Sequence, residues 1–243
     1  MTQLTAQQVY DRLIEVDKIL TLEGRITFKL GKVSIIVKQK DVVGNLLQEW
    51  LEGWLKANKI AHKVNPNSQM PPDFFLNTED ETTDLLEVKA FNYAASPGFD
   101  IADFKAYQQE IVKKPYMLHS KYLIFGYSMS ADGVVTVKKL WLKNVWEICR
   151  TSEQWAINVQ YKNGIVHKIR PATWYSENKR NRFKPFQCLE DFLAAIEETV
   201  YKNPDTRDKA VEWKERMEQQ YVKHYNNTIA IPRWMDVRHK YVQ

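Results

Sequence analysis

Residues 71–91 read PPDFFLNTEDETTDLLEVKAF. Two apolar runs of strand length, DFFL (73–76) and DLLEVKAF (84–91), flank the acidic and polar NTEDETT (77–83), which is the pattern of a β-hairpin. If the hairpin folds about Asp80, paired residue numbers sum to about 160 and residue 73 faces residue 87. Cross-strand neighbours on one face have Cβ atoms roughly 5 Å apart, so this register sets Asp73 beside Glu87. Side chains alternate along a strand, so Lys89 shares the face of Glu87 while Leu86, Val88 and Ala90 turn to the other.

Two carboxylates and an amine that converge inside apolar strands need a physical reason. Adjacent carboxylates raise each other's pKa unless a cation sits between them. An all-oxygen pair with its other positions open to water and phosphate suits Mg²⁺, with Mn²⁺ as a substitute, better than Zn²⁺, which calls for Cys or His. The five histidines show no ligand spacing. Such an ion polarises a phosphodiester and lowers the pKa of a bound water, and Lys89 orients that water or helps deprotonate it. The bland alternative is that Asp73 caps a turn and Glu87 pairs with Lys89. Glu79, Asp80 and Asp84 read as turn residues.

Outward from the hairpin, the spacing of Val9, Leu13, Val16 and Leu20 predicts an opening amphipathic helix, and ITFKLGKVSIIVKQ (26–39) a short hairpin. Asp41 is a candidate N-cap for a helix over 41–58 with Val42, Leu46, Trp50 and Trp54 on its core face. After the hairpin come a loop NYAASPG (92–98), a helix over 101–113, a strand KYLIFGYSM (121–129), a turn at Ala131-Asp132-Gly133 and a strand VVTVKKLWL (134–142). Asn163-Gly164 between alternating runs predicts a further hairpin. Helices over 188–201 and from about 207 onward close the chain, the last with Asp205 as a candidate cap. The order predicts an α/β fold with a central mixed β-sheet flanked by helices, and an added C-terminal hairpin and helices. One domain over 1–243 is expected, with the catalytic core about 40–145 and elements for recognition and dimerisation about 150–243.

Pro72-Asp73 followed by Glu87-Val88-Lys89 resembles the motif of the PD-(D/E)xK nuclease superfamily. The resemblance implies a restriction-endonuclease-like core, acids that hold the metal and a lysine that positions the water. Members commonly add an acid on a helix before the first motif strand, and Glu49 in GNLLQEW resembles it; an ordinary solvated helix residue is the alternative. The stretches GNLLQEW, PPDFFL, LLEVKAF, FDIADF and YLIFGYSM are similar to the compact type II restriction endonucleases of the NgoBV and NlaIV group. That likeness implies cleavage of double-stranded DNA by a homodimer at a short palindrome, such as GGNNCC.

The charge fits a polyanionic partner. Net charge is +5 over 243 residues, with a pI near 9.0. Between Tyr161 and Phe186 stand Lys162, Lys168, Arg170, Lys179, Arg180, Arg182 and Lys184 against the single acid Glu177. Within RPATWYSENKRNRFKPF (170–186), Arg170, Lys179, Arg180, Arg182 and Lys184 suit phosphates or guanine edges, Asn178 and Asn181 suit base edges, and Trp174 and Tyr175 suit stacking. A solvated basic loop is the alternative. Asn92, Tyr93 and Ser96 follow the Lys89 strand and are candidates for contact beside the scissile phosphate. The C-terminal PRWMDVRHKYVQ reads as either a DNA arm or a docked tail.

Two cysteines, Cys149 and Cys188, fit a reducing compartment better than a disulfide framework. No signal-peptide pattern and no run of about 18 apolar residues occurs, so a cytoplasmic protein without membrane contact is expected. Two rivals remain: a structure-selective repair or junction-resolving nuclease, and a non-catalytic DNA-binding protein of the same fold. The large C-terminal half argues against the first and the intact Asp73, Glu87 and Lys89 against the second.

Overall fold

A computed structural model describes residues 1–39, 42–67, 70–176 and 182–242. The chain divides into two compact units, one of residues 1–66, 72–99 and 121–143 and one of residues 67–71, 100–120 and 144–243.

The first unit opens with α1 (Ala6–Asp11), where Thr5 and Gln8 form a reciprocal capping box. The helix continues as a π-helical turn over Arg12–Val16. Val9 and Leu13 are buried, but Val16 and Leu20 are exposed. Val16 sits within the π-helical turn, whose five-residue spacing departs from the α-helical period, and Lys18 then takes a left-handed conformation that ends the helix before Leu20, so that Ile19 is buried instead. Three short strands follow, β1 (Glu23–Arg25), β2 (Thr27–Leu30) and β3 (Val33–Ile36). Strands β2 and β3 form a separate ribbon.

Helix α2 (Val43–Ala57) carries two apolar stripes, and the structure buries the one that the spacing did not favour. Val43, Leu51 and Leu55 are buried and Leu47 packs beside them, while Trp50 is 40% exposed. Gly44 shares the helix face of the aliphatic stripe near the Ala90 carbonyl, where a Cβ would make ordinary contact at 4.0 Å. The tryptophan stripe lies at the margin: Trp54 packs against the core partly buried and Trp50 meets Phe125 edge to face at 6.4 Å. The proposed cap Asp41 lies outside the described residues.

Strands β4 (Lys63–Val64), β5 (Phe74–Phe75), β6 (Leu85–Asn92), β8 (Lys121–Met129) and β9 (Val134–Asn144) join β1 in a six-stranded sheet ordered β1-β9-β8-β6-β5-β4. Strands β6 and β8 run parallel from Leu86 beside Lys121 to Asn92 beside Tyr127, whereas β4, β5 and β6 pair antiparallel, as do β1 and β9. The sheet is therefore mixed, as expected. Parallel neighbours need a long crossover, and here the chain from β6 to β8 passes through β7 (Ala102–Asp103) and α3 (Phe104–Lys113). Leu86 and Val88 join Phe74, Leu76, Leu123 and Phe125 and the α2 leucines in one core.

In the second unit β10 (Val159–Lys162) and β11 (Ile165–Ile169) form the hairpin, with Asn163 and Gly164 both at positive φ as its turn demands. Strand β7 extends it to three strands. Helices α4 (Leu189–Lys202), α5 (Ala210–Tyr225) and α6 (Trp234–Val237) complete the unit. Asp205 does not cap α5; it pairs with Lys105 at 2.8 Å, and a short turn over Arg207–Lys209 precedes the helix. The C-terminal segment is a docked tail. Tyr241 is fully buried and its hydroxyl donates to Asp191 Oδ2 at 2.5 Å, which Lys240 Nζ also meets at 3.0 Å.

Candidate active site

Strand β6 is covered on both faces, which is why it reads as a nearly continuous apolar run. Glu87, with a side chain built for water, is therefore only 4% exposed. Burial raises its pKa to about 7, the carboxylate of Asp73 adds to the rise, and Lys89 opposes it. Lys89 Nζ lies 2.8 Å from Glu87 Oε1. Glu87 Oε2 is buried with no hydrogen-bond partner. The pairing that served as the bland alternative is thus present, but it satisfies only one of the two oxygens.

The hairpin has the register read from the sequence: Phe74 pairs with Leu86 and Phe75 with Leu85, and the Leu76 N–H donates to Asp84 O at 3.0 Å. Beyond Phe74 the ladder changes. The Asp73 N–H donates to Leu86 O at 3.1 Å, and Asp73 Oδ2 accepts from the Val88 N–H at 2.7 Å. The carboxylate thus does the work of a backbone carbonyl in the next rung of β6. Its other oxygen, Oδ1, accepts from Gln48 Nε2 of α2 at 2.8 Å. Burial raises the Asp73 pKa, while the Val88 amide, Lys89 and Gln48 pull the other way.

Gln48 is the residue that sequence reasoning missed. It lies three before Leu51 and seven before Leu55, so the buried stripe of α2 fixes its direction. Glu49, one position on, is exposed.

The fit of a divalent cation can be judged on this donor set. An orphaned, buried carboxylate oxygen beside a second carboxylate is an electrostatic deficit that a cation relieves. Each oxygen of Asp73 keeps a lone pair beyond the hydrogen bond it accepts. Among the described residues no group of three or more His, Cys, Asp and Glu is arranged to hold a metal. The protein's share is two carboxylates, which fits Mg²⁺ bound largely by water and substrate phosphate and not a closed Zn²⁺ site.

The remaining candidates fall in both units. Asn92 is half-buried at the end of β6, and Ser96 is exposed. Tyr93 donates its N–H to Tyr127 O at 2.7 Å, and its ring packs 6.0 Å from that of Trp141. Both rings use the space left by Gly126, where a Cβ would come within 2.9 Å of Trp141 and 3.1 Å of Tyr93. In the second unit Arg170 pairs with Asp100, Lys168 with Asp103 at 3.6 Å and Arg182 with Glu153 at 2.7 Å. Trp174 and Tyr175 meet edge to face at 5.4 Å. Lys184 is exposed. Asn178, Lys179, Arg180 and Asn181 lie outside the described residues.

Comparison with known proteins agrees with this architecture. The model of the NgoBV restriction endonuclease family matches residues 3–241. The type II restriction enzyme NlaIV of Neisseria lactamica is 61% identical over 241 residues, covering 99% of both chains. The type II restriction enzyme NgoBV of Neisseria gonorrhoeae is 55% identical over 162 residues, which is 67% of this chain and 92% of that one. A solved structure of the NlaIV restriction endonuclease superposes with a TM-score of 0.96 over 100% of this chain and 98% of that one, at 61% identity.

Proposed function

Because the chain belongs to the NgoBV restriction endonuclease family, we propose that it cleaves double-stranded DNA at a short palindrome, with Mg²⁺ held by Asp73 and Glu87. The observation that carries the metal is Glu87 Oε2, buried beside Asp73 with no partner of its own. A bound divalent ion supplies Lewis-acid stabilisation of the charge that develops on the phosphate.

The chain's own residues then divide the work. Asp73 is held at both oxygens, by Gln48 and by the Val88 amide, so its carboxylate enters the reaction already oriented. Glu87 brings the buried charge. Lys89, 2.8 Å from Glu87 Oε1, is in place to orient the attacking water and to exchange a proton with it. Gln48 takes the helix position where the family resemblance suggested Glu49.

A palindrome is matched by a two-fold symmetric protein, so the working form is a homodimer. The basic segment around Arg170, Trp174, Tyr175, Arg182 and Lys184 supplies DNA contacts; its Arg182–Glu153 pair is exposed at both ends, individually weak, and exchanges readily for phosphate.

The test is to incubate supercoiled plasmid of known sequence, containing GGNNCC sites, with the purified protein in Mg²⁺ and in EDTA. Discrete fragments in Mg²⁺ and intact plasmid in EDTA are expected. Plasmid untouched in both sinks the proposal, and a smear removes the sequence specificity from it.

A further inference from the structure

The ribbon of β2 and β3 has faces of opposite chemistry. In its register Phe28 stands opposite Ile35 and Leu30 opposite Val33, so these four side chains share one face. Their exposures are 54%, 53%, 72% and 66% respectively. The other face carries Thr27, Lys29, Ser34 and Ile36, with Lys32 in the turn. Ile36 rests on the turn at Gly133, where a Cβ would come within 2.7 Å of its Cγ2. The basic, partly supported face is thus turned to the protein's own turn, and the apolar face away from it. Among the described residues no third strand pairs with the ribbon, and a lone two-stranded ribbon is marginal in water.

The geometry points to a second copy of this chain as the occupant of the Phe28–Leu30–Val33–Ile35 face. Charge decides between partners. DNA demands cations at its contact surface, and this face has none, because Lys29 lies on the opposite face and Lys32 in the turn. A chain with net charge +5 can meet its own copy here without opposing like charges. An apolar face built of two cross-strand pairs is also self-complementary about a two-fold axis, as an isologous contact requires. The area agrees. Four side chains at these exposures present on the order of 400 Å², the scale of a functional patch on a monomer and about half of one partner's share of a standard interface. The ribbon is therefore one element of the dimer contact, and the rest of the interface comes from surface beside it. This inference deepens the homodimer in the proposed function and rests on that reading for its biological meaning only.

Sedimentation velocity of the full chain without DNA or metal tests it, comparing the wild type with Leu30→Lys/Val33→Lys. Both positions are exposed, so the circular dichroism of the variant should match the wild type, and its urea midpoint should fall only by what the lost association contributes. The expected result is a wild-type dimer whose dissociation constant weakens at least about 100-fold in the variant, with Leu30→Met/Val33→Ile still dimeric. A monomeric wild type overturns the inference. So does a variant that remains dimeric, whether or not its plasmid binding falls; a fall would place DNA on the face. Plasmid cleavage by the wild type in Mg²⁺ is scored separately, so a dimer that does not cut refutes the nuclease reading and leaves the ribbon contact standing.

Discussion

Gln48 Nε2 donates a 2.8 Å hydrogen bond to Asp73 Oδ1, so an amide on α2 aims the first carboxylate of the site. Groups that orient a metal ligand typically contribute 10- to 100-fold to affinity or activity. Gln48→Ala should therefore lower kcat by about 10- to 100-fold and raise the Mg²⁺ concentration needed for half-maximal cleavage, with DNA affinity little changed. Steady-state cleavage across a Mg²⁺ titration measures this. Unaltered metal dependence would show that the hydrogen bond does not position the ligand.

Glu87 gives the metal-free protein a pH-dependent weakness. Its folded pKa of about 7 exceeds the ordinary 4.5 because burial disfavours the charge. The native state therefore holds the proton more tightly than the unfolded chain does. The associated stability is fully present below pH 4.5 and is lost as pH rises through about 7. Relative to Glu87→Gln, the wild type in EDTA should lose on the order of 3 kcal/mol between about pH 5 and about pH 8, and Mg²⁺ should restore stability at the higher pH. Urea unfolding of both proteins gives the difference; a flat difference across this range contradicts the buried, uncompensated carboxylate.

Much of this site was legible in residues 71–91. The register followed from alternation and from the position of the turn, and Glu87 and Lys89 emerge on one face of β6 as period two requires. The helix was not legible to the same degree, because α2 offers two apolar stripes one residue apart. Only the sheet decides between them: Leu51 and Leu55 are buried against it, and Gln48 is carried to Asp73 while Glu49 is left exposed. The departure of Asp73 from the ladder was equally hidden, since nothing in the residue pattern says that a side-chain oxygen will take the Val88 amide. Val16 and Leu20 continue the helical spacing in the sequence, but the π-helical turn over Arg12–Val16 shifts the phase at Val16 and the left-handed Lys18 ends the helix before Leu20.

Arg182 and Lys184 should matter to binding more than to chemistry. The Arg182 pair with Glu153 is exposed at both ends, so phosphate can replace the carboxylate at little cost. Arg182→Gln/Lys184→Gln should weaken DNA binding and reduce the magnitude of the log–log salt slope by about 2, one for each phosphate left without its cation. Fluorescence anisotropy over a salt series measures it, and an unchanged slope would take these residues off the DNA.

The docked tail should be a stability element of the second unit. Tyr241→Phe removes the hydroxyl that donates to the buried Asp191 carboxylate, leaving Lys240 as its remaining side-chain partner at 3.0 Å. Loss of a hydrogen bond to a buried charged acceptor costs about 1–3 kcal/mol, which urea unfolding would register as a lower midpoint. A midpoint equal to that of the wild type would mean that the tail is not held there in solution.

The triad itself is tested most directly by measuring cleavage and binding together for Lys89→Ala on one DNA fragment carrying a mapped site. Cleavage should fall by about 100- to 1,000-fold, as when a group acting on the transition state is lost, while the dissociation constant for the fragment stays within about threefold because positioning rests on other residues. Cutting by Lys89→Ala at a rate near that of the wild type would contradict the assignment of Asp73, Glu87 and Lys89 as the centre that breaks the phosphodiester bond.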